Sequence, residues 1–149
     1  MSVSVIKAIV TDIEGTTTSI SFVADVLFPY ARERIAHFVI EHAQDPAVSA
    51  EIAAVRAEIN DSGASLEKVG QVLVGWIDQD KKITPLKTLQ GLIWRYGYED
   101  GSLKGHLYPE VAARLQAWKA AGIQLNVYSS GSETAQKLLF GYSEAGDLT

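Results

Sequence analysis

Two short apolar runs, each ending in polar residues, constrain this chain most, because a long helical stretch separates them. The first, "VIKAIVT", stops at Asp12 within "AIVTDIEGTTTS", residues 8–19. It is short and rich in branched residues, which suits a buried parallel strand. The second, "IQLNVYSSGS", residues 123–132, reads as a strand running into a Ser/Gly turn.

The residues between them carry helical periodicity. Phe22, Val23, Val26, Leu27, Ile35, Phe38 and Val39 recur at near-helical spacing, and Pro29 is expected to kink or split that stretch. Asp45 is a cap, Pro46 a first helical residue, and Val48, Ile52, Val55 and Ile59 one apolar face. Ser65 caps a third helix with Leu66, Val69, Val72, Leu73, Trp76 and Ile77 as its stripe. Thr84 and Pro85 open a fourth, with Leu86, Leu89, Ile93 and Tyr96 inward and Gly97 at its end. "LYPEVAARLQAWKAAG" predicts a helix with Pro109 near its start and Gly122 just past its end, and "ETAQKLLFG" begins another.

Strands alternating with helices predict an α/β fold with a parallel sheet. Crossovers are usually short, so the helical block reads as an insertion. The expected division is a core from residues 1–21 and 101–149 and a helical insertion at 22–100. Only two core strands are legible, whereas open doubly wound sheets have about five or six. The sequence therefore reads as a chain that stops before its sheet is complete.

Composition narrows the function classes. The 149 residues carry a formal charge of -5, which argues against nonspecific nucleic-acid binding. There are no cysteines, so disulfides, thiolate nucleophiles and cysteine-bound metals are excluded. No apolar stretch reaches the ~18 residues of a spanning helix. "MSVSVIKAIV" lacks a small-residue cleavage site and is not read as a signal peptide.

Two loops carry the chemistry. Ligands of open parallel sheets bind beyond the carboxyl ends of the strands. Asp12 lies at such an end, and residues two apart on a strand share a face, so Asp12 and Glu14 can point toward one site. Two acids can hold Mg²⁺ through hard oxygens, or divide the roles of nucleophile and proton carrier. A solvated strand end with one acid capping the next segment is the plainer alternative. In "YSSGS", backbone amides at a helix start and serine hydroxyls can bind an anion. There the plainer alternative is a Ser/Gly helix cap. Both loops follow strands of one expected sheet, so both can open on the same edge.

"DIEGTT" resembles the first motif of the haloacid dehalogenase superfamily, Asp-x-Asp-x-Thr, with Glu14 in the second acidic position. "VYSSGS" resembles its second motif. With "ITPLKTLQGLIWRYGY", "LKGHLYPEV" and "VYSSGSETAQKLLFGYSEAGDL", the chain looks like the enolase-phosphatase (acireductone synthase) family of methionine salvage. The resemblance implies a haloacid dehalogenase-like Rossmannoid core with an inserted helical cap, C-terminally truncated here. It implies that Asp12 is the nucleophile and a Mg²⁺ ligand. Glu14 would serve the metal site through its backbone carbonyl and proton transfer through its carboxylate, and Ser129 and Ser130 would bind phosphate. The family's substrate is 2,3-diketo-5-methylthiopentyl 1-phosphate, which is enolised and then dephosphorylated. A small phosphorylated substrate, no nucleic-acid or membrane partner, a monomeric full-length enzyme and a cytoplasmic location follow from the same resemblance. The superfamily also needs a lysine and a further acid beyond the second motif; neither Lys137 nor Asp147 stands at those positions. A phospho-accepting signalling domain and a catalytically silent fragment are the alternatives.

Lesser candidates default to structural roles. His106, in "KGHLYPE", can face substrate but reads first as a structural or surface histidine. Trp76 and Trp94 fall on apolar stripes and read as core. His37 and His42 have no partner at metal-ligand spacing.

Overall fold

The computed structural model describes residues 5–149. Its elements run β1 (Ala8–Thr11), α1 (Ile20–Phe22), a π-helical turn (Val23–Leu27), α2 (Phe28–Glu41), α3 (Pro46–Glu58), α4 (Leu66–Asp78), α5 (Thr84–Glu99), α6 (Val111–Ala120), β2 (Gln124–Val127) and α7 (Glu133–Gly141). The chain divides into two compact units, Met1–Val23 with Lys104–Thr149, and Ala24–Leu103.

In the first unit β1 and β2 pair in parallel, Ala8 opposite Gln124 and Thr11 opposite Val127. Tyr128 extends the ladder by one bond, donating its amide to the Thr11 carbonyl at 2.9 Å. Buried Ile13, Phe22, Leu107, Leu138 and Leu139 form the apolar interior of this unit. The strands are barely covered: Val10 is 66% exposed, and Val5 and Ile6 are exposed as well. The buried strand expected over "VIKAIVT" is thus corrected twice. Pairing begins at Ala8, and neither face of β1 is closed off: Ala8 and Val10 are exposed on one, and Ile9 and Thr11 are only partly buried on the other.

The second unit is helical. α2 packs on α4 and α5, and α3 packs on the same two helices. Ile35, Val39, Val48, Val55, Val69, Leu73, Leu86 and Leu89 are fully buried, each worth about 1.5–3 kcal/mol by the transfer scale. The caps are local. Asp45 Oδ1 accepts from the Ala47 amide at 3.0 Å, and Ser65 Oγ from the Lys68 amide at 3.1 Å. Pro29 lies in the first turn of α2, directly after the π-helical turn, so the stretch changes helix type there. Trp76 and Trp94 are core, and Trp94 Nε1 donates to the Leu27 carbonyl at 2.8 Å.

α5 departs from its expected outline. It continues to Glu99, so Gly97 lies inside it. A Cβ there would sit 2.8 Å from the Tyr30 ring and from Leu103, so this glycine permits close packing instead of ending a helix. Tyr96, expected inward, is 47% exposed, and Tyr98 is buried in its place. α6 starts at Val111, two residues past Pro109. No helix among the described residues is long and apolar enough to cross a membrane.

Candidate active site

The candidate residues lie in the first unit, at the carboxyl ends of the two strands. Because Thr11 pairs with Val127, Asp12 and Tyr128 leave the sheet side by side, and the two loops begin from the same edge.

The first loop is a tight hydrogen-bonded turn. The amides of Thr16, Thr17 and Thr18 converge on the Ile13 carbonyl at 3.2, 3.0 and 3.1 Å. The Gly15 amide donates to the Thr18 carbonyl at 2.7 Å, with Gly15 at φ +77°. Asp12 and Glu14 are exposed on either side of buried Ile13. Asp12 Oδ1 accepts from the Ile13 amide at 2.7 Å, which holds the carboxylate close to its own backbone. The hydroxyls that follow are structural. Thr17 is buried and donates to the Ile13 carbonyl at 3.2 Å, and Thr18 is completely buried with its Oγ1 3.0 Å from His106 Nδ1.

The second loop carries the serines. Ser129 is half-buried, and its Oγ accepts from the Gly131 amide at 3.1 Å, so its own proton remains for another acceptor. Ser130 is exposed beside it. Ser132 caps α7, its Oγ accepting from the Ala135 amide at 3.1 Å. Gln136 Nε2 donates to the Gly131 carbonyl at 2.9 Å and ties the loop to the helix. The start of α7 adds amide donors, a favourable setting for an anion. Lys137 is engaged on that helix with Glu133 at 2.6 Å, and this hydrogen bond holds the Glu133 carboxyl below the usual carboxylate range. Asp147 accepts from the Thr149 hydroxyl and amide, which lower its carboxyl in the same way.

One edge of the sheet therefore presents carboxylates from the first loop and hydroxyl and amide donors from the second. Among the described residues no group of three or more His, Cys, Asp or Glu is arranged around a metal position. His106, ranked low from sequence, turns out to contact the first loop directly; only its place in "KGHLYPE", where the chain returns to the core, hinted at this.

The sequence profile of the haloacid dehalogenase-like hydrolases matches residues 6–147. The chain belongs to the haloacid dehalogenase-like hydrolase family. Among curated members, Enolase-phosphatase E1 of Pseudomonas aeruginosa strain LESB58 is 59% identical over 96% of this chain and 64% of its own length. Enolase-phosphatase E1 of Azotobacter vinelandii is 55% identical over 97% of this chain and 63% of its own. The crystal structure of UTR4 protein from Saccharomyces cerevisiae superimposes with a TM-score of 0.79 at 32% identity, covering 97% of this chain and 61% of that one. The chain thus spans less than two thirds of the length of these relatives. The family resemblance read from "DIEGTT" and "VYSSGS" is borne out, as is the fold class of a parallel sheet with a helical block in the chain.

Proposed function

We propose that this chain carries the nucleophile and phosphate-binding part of a phosphomonoester hydrolase site, and that its reaction is that of an enolase-phosphatase. One observation carries the reading. The register of β1 on β2 starts the Asp12 loop and the Ser129 loop from adjacent points on one sheet edge. The high identity to Enolase-phosphatase E1 proteins supports the specific reaction.

In this reading Asp12 attacks phosphorus. An aspartyl-phosphate forms as the bond from phosphorus to the substrate oxygen breaks. The Glu14 carboxyl gives a proton to the departing oxygen and then takes one from the water that cleaves the acyl phosphate. Ser129 Oγ–H and Ser130 bind the phosphoryl oxygens, aided by amides at the start of α7. The substrate is 2,3-diketo-5-methylthiopentyl 1-phosphate, with Glu14 also moving the proton in the enolisation, and the product is the acireductone of methionine salvage.

The oxygens of this loop suit Mg²⁺ as part of its shell. Asp12 offers a hard carboxylate, and the hydrogen bonds of the turn end on the carbonyls of Ile13 and Thr18, not on that of Glu14. When bound, the ion supplies charge neutralisation for phosphoryl and enediolate oxygens. The helical unit would act as the cap that selects substrate. The full-length enzyme would be a cytoplasmic monomer that binds neither nucleic acid nor membrane.

The test is phosphate release from a phosphomonoester with and without Mg²⁺, in the full-length wild type and in full-length Asp12→Asn. Turnover that needs Mg²⁺ and is abolished by Asp12→Asn supports the assignment. An Asp12→Asn protein that still turns over overturns it.

A further inference from the structure

We propose that His106 is a positioning residue for the Asp12 loop, acting as a neutral imidazole with its proton on Nε2. The proposal deepens the phosphatase reading and rests on it for the role of Asp12.

The hydrogen bonds fix the tautomer. The Ser19 backbone amide donates to His106 Nδ1 at 3.2 Å, and an N–H can donate only to an unprotonated nitrogen. Nδ1 therefore carries a lone pair, and the Thr18 hydroxyl, 3.0 Å away, shares it as a second donor. In a neutral ring the remaining proton is then on Nε2.

The same nitrogen is one end of a chain of contacts that reaches the proposed nucleophile. Thr18 gives its amide to the Ile13 carbonyl at 3.1 Å and takes the Gly15 amide at 2.7 Å, which closes the loop. Ile13 in turn donates its amide to Asp12 Oδ1 at 2.7 Å. Beyond the loop, Ser19 Oγ caps α1 by accepting from the Phe22 amide at 3.1 Å, and the Phe22 ring lies 6.0 Å from the imidazole.

His106 is itself held on both sides. The Gly105 amide donates to the Tyr142 carbonyl at 2.8 Å, and the Glu144 amide to the Gly105 carbonyl at 2.9 Å. The Tyr108 amide donates to the Thr17 carbonyl at 3.0 Å, and its ring meets the imidazole edge-on at 5.7 Å. Segment 105–108 is thus strapped between the Asp12 loop and residues 142–144. A half-buried histidine that merely filled space would present no acceptor to a loop amide. Here one ring nitrogen replaces the water that the Ser19 amide and the Thr18 hydroxyl would otherwise need.

Asn and Gln separate the two ring nitrogens, since Asn Oδ1 occupies roughly the place of Nδ1 and the end of Gln that of Nε2. His106→Ala is expected to lower kcat for phosphate release by up to about a hundredfold, the cost of small displacements near reacting atoms, with little change in KM. His106→Asn should recover most of this, and His106→Gln should not. Two readouts need no turnover. Nitrogen NMR of the wild type should show Nδ1 as the unprotonated nitrogen at neutral pH. Amide exchange at Ser19 should quicken in His106→Ala and slow again in His106→Asn. Recovery by Gln but not Asn, or a protonated Nδ1 in the wild type, overturns the proposal. A full-length wild type that releases no phosphate overturns the phosphatase reading, while the tautomer and the Ser19 exchange still decide this one. If His106→Ala fails to fold, the wild-type tautomer and the comparison of Asn with Gln decide it.

Discussion

The helical unit and the sheet unit are built from similar apolar residues and cover them very differently. In Ala24–Leu103 the stripes of four helices close on one another, and Ile35, Val39, Val55, Val69, Leu73 and Leu89 are fully buried. In the other unit Val10 is two-thirds exposed, and Tyr128, at the end of β2, is 81% exposed. A helix needs one covered stripe, and three neighbours a short distance along the chain can supply it. A parallel strand needs both faces covered, normally by helices and further strands. The candidate site lies on the less covered unit, where its first loop is held by hydrogen bonds that converge on buried Ile13 and by buried Thr17 and Thr18, and its second by the turn bonds of Ser129 and Ser132.

The sharpest test of this contrast is a pair of truncations. Leu73→Ala empties a fully buried position between helices and should cost about 2–5 kcal/mol in denaturant unfolding. Val10→Ala in β1 should change stability by less than about 0.5 kcal/mol. Equal costs would mean that the strand is covered in solution after all.

Next in size is Gly105→Ala. Its Cβ would collide with the Leu139 carbonyl oxygen, a backbone atom that cannot swing away. A loss of about 1–3 kcal/mol is expected, with faster amide exchange at residues 142–144. An unchanged unfolding midpoint would show that the strap around His106 is loose. Gly91→Ala makes the opposite case in the helical unit. A Cβ there meets nothing within 4 Å and Gly91 lies in mid-α5, so the protein should gain up to about 1 kcal/mol.

The smallest effect is electrostatic. Arg32 Nε and Nη2 donate to the two oxygens of Asp78 at 2.6 and 3.0 Å, and this pairing holds the Asp78 carboxyl below its usual range. A folded-state pKa below the unfolded one means that the native state binds fewer protons. The stabilisation is then present above the unfolded carboxylate pKa and is lost as pH falls through the lower folded value. Both groups are half exposed, so salt should weaken the effect. Arg32→Ala should flatten the acid limb of the melting-temperature profile, and an identical limb in the variant would assign acid sensitivity elsewhere.

Local chemistry was legible from residues alone. Asp45 and Ser65 cap α3 and α4 because a short side-chain oxygen reaches an amide two or three residues on, whatever surrounds it. The acidic strand end at Asp12, the Ser/Gly turn at Ser129 and the order of strands and helices were visible for the same reason. "DIEGTT" and "VYSSGS" were specific enough to indicate the family.

What depends on distant neighbours was not legible. Gly97 looked like a helix end, yet Tyr30 and Leu103 require its small size inside α5. Tyr96 and Tyr98 are two residues apart on one helix, and only the packing around α5 decides which is buried. Thr17 and Thr18 follow two exposed acids closely in sequence, and only the fold decides that both turn inward. His106, 88 positions from Thr18, meets it only because the chain returns to the same sheet unit after the helical block. The sequence by itself determined the turns, caps and motif residues, since each depends on contacts a few residues apart. Tertiary structure decided exposure and the partner of His106, since those depend on chain segments that only folding brings together.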